Sequence, residues 1–338
     1  MSHADTIDPL REGLLEQVGL PFGGSGPMLS PDPVNTPMIR HWVDALDDRN
    51  PIYLDDEAAR RAGHEGAVAP PAMLQTWTMG RPKIEGIAAR GGSASEIQGE
   101  NPITTLAGAG FTGTLATNSE LEFDHHLRPG DRLTSQGVLE SISELKTTGL
   151  GQGYFVTWVT TYRDGDGREV GRQRFRVYKF APGTTGTRPG ERAGDRSEKS
   201  SESASEAPTG EVLPPFDLDV TATVIVAGAI ASRDFMPVHH DPGYARAQGA
   251  PDIFMNILTT NGYVARYVTD WAGPVARLEK LSIRLGAPCV PGKVLRFTGR
   301  VESEQVQAGR RSCLVSLAAT NEFGPHASGT AELTRPLG

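Results

Sequence analysis

A stretch of sixteen residues recurs at a fixed offset with six positions identical, and that repeat limits the fold more than any other feature. Shifted by 186 positions (234 − 48), residues 48–63 run against 234–249 without a gap. The two copies share Asp48/Asp234, Pro51/Pro237, Asp55/Asp241, Ala59/Ala245, Arg60/Arg246 and Gly63/Gly249. A chain of 338 residues has room for two domains of roughly 150 residues each. The repeat therefore predicts two similar units and excludes a fold in which the halves differ. The copies part at one place that matters for chemistry. The later copy has His239 where the earlier has Tyr53, so only Asp234-Phe-Met-Pro-Val-His239 sets a carboxylate and an imidazole five residues apart across a proline. Asp241 can cap a following helix, Pro242 suits its first position and Gly249 can end it. A tight turn of this kind can aim both groups at one water molecule.

The element order also repeats. Leu10, Leu14, Leu15 and Val18 predict a short amphipathic helix, and Ile39 to Leu46 a helical turn ahead of the first copy. A proline-led helix should follow each motif, over Pro71 to Trp77 in the first half and from Pro251 to Trp271 in the second. In the second, Ile253, Phe254, Ile257, Leu258, Val264, Tyr267, Val268 and Trp271 keep helical spacing until Gly273-Pro274. So broad an apolar surface calls for a helix enclosed by other structure. Strand patterns come next: Leu121 to Phe123, Leu133 to Ile142, Tyr154 to Arg163 and Val170 to Phe180 in the first half. Leu281 to Leu285, Val294 to Val301, Ser312 to Asn321 and Ala327 to Thr334 are their counterparts. Asp164-Gly-Asp-Gly167 reads as a hairpin turn. The fold class expected is α+β, with two antiparallel sheets, each wrapped around a helix and able to pair edge to edge.

Between the halves, Gly183-Thr-Thr-Gly-Thr-Arg-Pro and Ser197-Glu-Lys-Ser-Ser-Glu-Ser hold almost no apolar residues and cannot offset the entropy of ordering. The expected division is an N-terminal extension over 1–33, a first unit over 34–181, a flexible linker over 182–211 and a second unit over 212–338. Residues Gly86 to Gly113 make the first half about 24 residues longer, as a lid, a widened cavity wall or an exposed loop.

Composition closes off several partners. Net charge is −8 with Lys and Arg spread along the chain, which argues against nucleic acid. Nothing approaches the roughly 20 apolar residues needed to cross a membrane, and Met1 to Leu20 carries Asp5, Asp8, Glu12 and Glu16 rather than a signal-peptide core. A cytoplasmic protein is expected. Cys289 and Cys313 lie among strand-like residues and offer neither a disulfide framework nor zinc spacing. His239-x-Asp241 contains two legs of a facial iron triad, but the third would have to be His326 and Asp241 is the natural cap, so no metal is expected. His125-His126 precedes the Pro129-Gly130 turn, at a cavity border or a solvated strand end.

The second motif resembles the signature of MaoC-like, (R)-specific enoyl-CoA hydratases, Gly-Asp-x-Asn-Pro-aliphatic-His-x-Asp. Asp234, Pro237, Val238, His239 and Asp241 match, while Ser232-Arg233 and Met236 depart from it. The first copy keeps Asp48, Asn50, Pro51, Ile52 and Asp55, and Val68-Ala-Pro-Pro-Ala-Met-Leu74 is similar to the helix-start segment of the same family. The resemblance implies a double hotdog fold, with a non-catalytic MaoC-like hotdog first and a catalytic one second. A closer likeness is to actinobacterial two-part steroid side-chain hydratases, here fused on one chain. Asp252-Ile-Phe-Met-Asn-Ile-Leu-Thr-Thr-Asn261-Gly is similar to the live partner and Pro70-Pro-Ala-Met-Leu-Gln-Thr-Trp77 to the dead one. The resemblance implies hydration of a bulky, cholesterol-derived 2-enoyl-CoA, with a straight-chain enoyl-CoA hydratase/dehydratase and a non-catalytic acyl-CoA-binding protein as the alternatives. It implies Asp234 and His239 as catalytic residues, a backbone oxyanion donor at Met255, no cofactor beyond the coenzyme A carried by the substrate, and a homodimer. An aldolase or thiolase partner belongs to such systems, but the OB-fold tail that docks an aldolase is not expected here.

Overall fold

A computed structural model describes residues 8–22, 26–88, 101–184, 210–307 and 309–337. Most of the expected linker, 185–209, and the stretch 89–100 of the first-half insertion lie outside the described residues.

The extension forms helix α1 (Pro9–Leu15) and two short strands, β1 (Pro21–Phe22) and β2 (Met28–Leu29). Asp8 caps α1 at the Arg11 N–H and also accepts from the Tyr154 hydroxyl at 2.6 Å, while Arg11 Nε donates to the Ser143 carbonyl, so the extension is tied to the first sheet. Next come α2 (Thr36–Leu46), a single 3-10 turn at Pro51–Tyr53, α3 (Asp56–Arg61), 3-10 turns at Pro71–Met73 and Thr76–Thr78, and α4 (Pro102–Gly108). Strands β3 (Gly113–Phe123), β4 (Thr134–Ile142), β5 (Lys146–Thr148), β6 (Gly151–Arg163) and β7 (Glu169–Pro182) complete the first half. The second half runs β8 (Val212–Val220), α5 (Ala222–Ala231), a 3-10 turn at Pro237–His239, α6 (Pro242–Ala247), α7 (Ile257–Ala272), β9 (Arg277–Leu285), β10 (Lys293–Gln307), β11 (Arg310–Asn321) and β12 (Gly324–Pro336).

Among the described residues, all the strands join one antiparallel sheet; the path runs β1-β4-β6-β7-β3-β9-β12-β11-β10-β8, with β2 pairing β4 and β5 pairing β6 off it. The two half-sheets meet where β3 pairs with β9, Asn118 opposite Arg284 through Glu122 opposite Lys280. Lys280 bridges Glu120 and Glu122 across this seam at 3.1 and 3.0 Å. Helix α7 lies against the seam: Asn261 Nδ2 donates to the Ser119 hydroxyl at 3.1 Å, and all of Ile257 to Ala265 is buried. Two glycines let neighbouring helices close on it. A Cβ on Gly228 of α5 would stand 2.4 Å from Thr259 Oγ1, and one on Gly262 of α7 would stand 2.3 Å from a Leu46 methyl of α2.

The repeat is reproduced bond for bond. Asp48 N–H donates to Val43 O as Asp234 N–H does to Ala229 O, and Val68 N–H to Ile52 O as Phe254 N–H does to Val238 O. Asp55 and Asp241 cap α3 and α6. Gly63 and Gly249 turn the chain at φ +94° and +89°. The offset is still 186 at the helix caps Asn35 and Thr221, which makes α2 and α5 a pair. It falls to 162 at Gly130 and Gly292, whose N–H groups bond Val34 O and Val220 O. The difference, 186 − 162 = 24, is the length of the first-half insertion.

Two expected elements are corrected. The second-half helix starts at Ile257 behind its Asn256 cap and not at Pro251, so Ile253 and Phe254 precede it. Pro71 to Trp77 does not form a helix but two isolated 3-10 turns. At the offset of 186, Pro70 stands where Asn256 caps α7, and a proline has no side chain with which to cap. Gly80 and Pro82 then stop propagation. Helix α5, Ala-Thr-Val-Ile-Val-Ala-Gly-Ala-Ile-Ala, was not foreseen because it has no polar face to give a period. Strand β8 was not foreseen because Pro214 and Pro215 interrupt it; as the edge strand it needs only one set of ladder bonds, those with β10.

Candidate active site

Asp234 and His239 are brought together at the start of α7. Arg233, at φ +61°, reverses the chain after α5, and the Asp234 carboxylate then accepts from the Met236 N–H at 3.2 Å, an Asx turn that leads into Pro237–His239. His239 Nε2 ends 3.3 Å from Asp234 Oδ2, with both side chains largely buried. The other ring nitrogen, Nδ1, is 2.7 Å from the Phe254 carbonyl, which fixes it as the N–H donor, and the Phe254 ring packs edge-on against the imidazole. Nε2 is thereby the nitrogen left to exchange a proton.

Sequence reasoning missed the third member of this arrangement. Asn256 caps α7 through Oδ1, which accepts from Thr259 N–H at 2.8 Å. Its Nδ2 donates to Asp234 Oδ2 and to Ser232 Oγ, both at 2.9 Å. One amide thus joins the carboxylate to the helix start. The signal available was Met236, which leaves the motif without its usual asparagine while an asparagine stands at a helix-start position 20 residues on (256 − 236). Burial pushes the Asp234 carboxyl up, but the charge and hydrogen bond of His239, with the Asn256 and Met236 donors, outweigh it and hold the pKa below the usual carboxylate range. Asp234 is an ionised acceptor at neutral pH.

The Met255 assignment is corrected. Its N–H donates to the Cys289 carbonyl at 2.9 Å and is not free to meet an oxyanion. The N–H groups of Ile257 and Leu258, in the first turn of α7, have no intrahelical acceptor and are the donors the geometry leaves. His240 faces away, its Nε2 3.2 Å from the Phe235 carbonyl. His326 is 2.9 Å from Thr260 Oγ1 and 2.8 Å from the Ala287 carbonyl, and burial lowers its pKa to about 4. Among the described residues, no three His, Cys, Asp or Glu side chains converge as metal ligands would.

The first copy holds the same backbone frame in different surroundings. Tyr53 is buried, and burial, with Asp48 and Asp270 adding, pushes its hydroxyl pKa up. Burial, then the nearby Asp270 and Asp47, raise Asp48 to about 6 against the lowering effects of Asn50 N–H and Arg266. Because this value lies above the roughly 3.9 of an unfolded Asp, the folded state favours the protonated form. The stabilising contribution is full below pH ~3.9 and is lost as pH rises through about 6. Asp48→Asn, which cannot ionise, is therefore expected to stabilise the protein above pH 7 by about 1–3 kcal/mol and to match the parent below pH 4. Urea unfolding at pH 8 and pH 4 measures this; equal stability at pH 8 would show that the carboxylate is solvated.

Two family models match the two halves separately. Residues 25–173 match the FAS1-like dehydratase domain region, and residues 204–322 match the MaoC-like domain. A Thermomonospora curvata protein named probable enoyl-CoA hydratase alpha subunit is 48% identical over 160 residues, 47% of this chain and 49% of that protein. The Mycobacterium tuberculosis 3-oxo-4,17-pregnadiene-20-carboxyl-CoA hydratase alpha subunit is 42% identical over 161 residues, 47% of this chain and 49% of that one. The beta subunit of the same name is 45% identical over 125 residues, 37% of this chain and 94% of the subunit. The chain thus spans about half the length of the alpha subunits and nearly all of the beta subunit. Among solved structures, a MaoC-like dehydratase superposes with a TM-score of 0.70 at 21% identity, over 96% of this chain and all of that one. A double-hotdog protein of M. tuberculosis superposes with a TM-score of 0.60 at 14% identity, over 95% of this chain and 96% of its own. No helix among the described residues is long and apolar enough to cross a membrane.

Proposed function

The chain belongs to the MaoC-like hydratase family, and on that premise we propose that it adds water across the Cα=Cβ bond of a bulky 2-enoyl-CoA, with a steroid side-chain thioester as the leading substrate. The observation that carries the reading is the buried Asp234–His239 pair, 3.3 Å apart at the start of α7. The ionised Asp234 takes a proton from the water as its oxygen bonds to Cβ. Protonated at Nε2, His239 gives that proton to Cα, and the proton on Asp234 then crosses to His239, restoring both groups. The Ile257 and Leu258 N–H groups, with the helix dipole behind them, stabilise the enolate on the thioester oxygen. Coenzyme A is part of the substrate in this scheme and no separate cofactor takes part.

Three observations favour a bulky acyl group. Relatives of each kind, alpha and beta subunits, carry steroid-derived names. The first-half counterpart of α7 is reduced to two 3-10 turns, a shorter element than the full helix of the second half. The first half also lacks the dyad, and so is under no demand to complete a second site.

A panel of enoyl-CoA esters from crotonyl to steroid, followed by loss of the conjugated thioester absorbance, tests the activity. Binding of every ester without turnover would instead identify an acyl-CoA-binding protein. We also propose that two chains associate into a four-hotdog homodimer. Light scattering should give about twice the mass of one 36.1 kDa chain, and a single-chain mass would refute it.

A further inference from the structure

A cavity of about 520 Å³ lies between the halves and shares no lining residue with the Asp234–His239 pair or its hydrogen-bond partners. It falls within the roughly 300–1,000 Å³ of small-molecule sites. The first half supplies His64 and His126, whose rings meet edge to face at 4.7 Å. The second half supplies Arg277 and Glu279 from β9, and Arg310 from β11. Internal symmetry locates it. His64 corresponds to Ala250, since each donates its N–H to the alanine five residues back, in Ala59 and Ala245. Leu127 accepts from Ala69 N–H as Cys289 does from Met255 N–H, so His126 corresponds to Pro288. The cavity is thus the first-half version of the ground beside the loops that hold His239 and Phe254. Basic and aromatic groups here replace the small and apolar ones there.

The chemistry of the lining selects a ligand. Arg310 donates to the carbonyls of Val275 and Thr334, and Arg277 to those of Phe123 and Asp124. Among the described residues, the hydrogen bonds of both guanidinium groups go to backbone carbonyls, which leave their positive charge unneutralised. Glu279 is engaged by the Thr334 hydroxyl at 3.3 Å. Two cations thus face one carboxylate. Burial, with His64, Arg277 and His125 adding, lowers the His126 pKa to about 3, and burial followed by Arg277 lowers that of His64. Both imidazoles are neutral, each with an N–H to give. The Glu65–Arg128 ion pair clasps the two loops that carry them.

We propose that this cavity binds a phosphorylated small molecule of nucleotide size. Arg277 and Arg310 hold its phosphates, Glu279 accepts a sugar hydroxyl and the His64–His126 pair packs against the base. Planar guanidinium groups match phosphate oxygens in pairs, and a carboxylate beside them suits a ribose hydroxyl better than a second anion. The ligand is either a free nucleotide or the nucleotide end of a coenzyme A ester.

Calorimetric titration of the full chain with ADP, pyrophosphate and adenosine tests the assignment, and it needs no hydratase activity. ADP should bind at least tenfold more tightly than adenosine, and Arg310→Gln should weaken it by about tenfold. Arg310 is exposed, so the variant should fold, which its thermal melt checks. The His64 and His126 ring resonances should shift on ADP addition in both the parent and Asp234→Asn. Coenzyme A binding at least tenfold more tightly than ADP would make the ester the source, and coenzyme A binding no more tightly than ADP would make a free nucleotide the source. The proposal is overturned if ADP binds no better than adenosine, if Arg310→Gln binds ADP as the parent does, or if neither histidine resonance moves.

Discussion

Asp234→Asn is expected to lower kcat for enoyl-CoA hydration by roughly 100- to 10,000-fold, and His239→Ala by a similar factor, because each removes one member of a proton-transferring pair. The amide in Asp234→Asn keeps the shape and the Met236 contact but cannot accept the water proton. His239→Ala also leaves the Phe254 carbonyl without its donor, so its thermal stability should be measured alongside its rate. Asn256→Ala separates positioning from chemistry. It removes the Asp234 contact and the α7 cap together, and loss of a cap typically costs about 1 kcal/mol of stability. With Nδ2 gone, the Asp234 pKa should rise, so the acid limb of the kcat profile should move to higher pH while His239-dependent steps remain. Tyr53→Phe should leave most activity, since a buried hydroxyl with a raised pKa is a poor proton shuttle near neutrality. Full activity of folded Asp234→Asn or His239→Ala would refute the dyad, and a loss on Tyr53→Phe as deep as that of His239→Ala would place catalysis in the first half.

The second large effect is expected in substrate choice. A steroid ring system adds on the order of 100 Å² of apolar contact over a four-carbon chain. At roughly 25 cal/mol per Å² this contributes about 2.5 kcal/mol, about 70-fold in kcat/KM. Steroid enoyl-CoA should therefore be turned over with higher kcat/KM than crotonyl-CoA by about that factor. The reverse order would remove the bulky-substrate reading and leave the hydratase reading standing. An intermediate straight-chain ester preferred over both would assign the acyl site to a fatty acyl chain.

Much of the fold was legible from residues alone. Strand β11 alternates cleanly from Cys313 to Asn321 because one sheet face is buried against the helices and the other is not, so a local pattern carries the long-range fact. Caps and turns were legible for the same reason: Asp241, Pro242 and Gly249 act on backbone atoms within a few positions of themselves. The repeat predicted two like units, and the hydrogen bonds recur at the same offset.

What the sequence by itself determined was the existence of the Asp234–His239 frame, because the two groups are held by one short turn. Tertiary structure alone decided how that frame is used. Asn256 is 22 residues from Asp234, and only the packing of α7 beside the turn brings its amide to 2.9 Å. The Met255 N–H looked free because its acceptor, the Cys289 carbonyl, is 34 residues away (289 − 255). Asp48 and Asp234 occupy the same local turn, yet their pKa values move in opposite directions. Burial pushes both carboxyls up; it prevails at Asp48, with Asp270 and Asp47 adding, and is outweighed at Asp234 by His239 and Asn256. Electrostatic energy depends on distance through the folded protein and not on distance along the chain, and so a repeated sequence can hold one ionised carboxylate and one that resists ionisation.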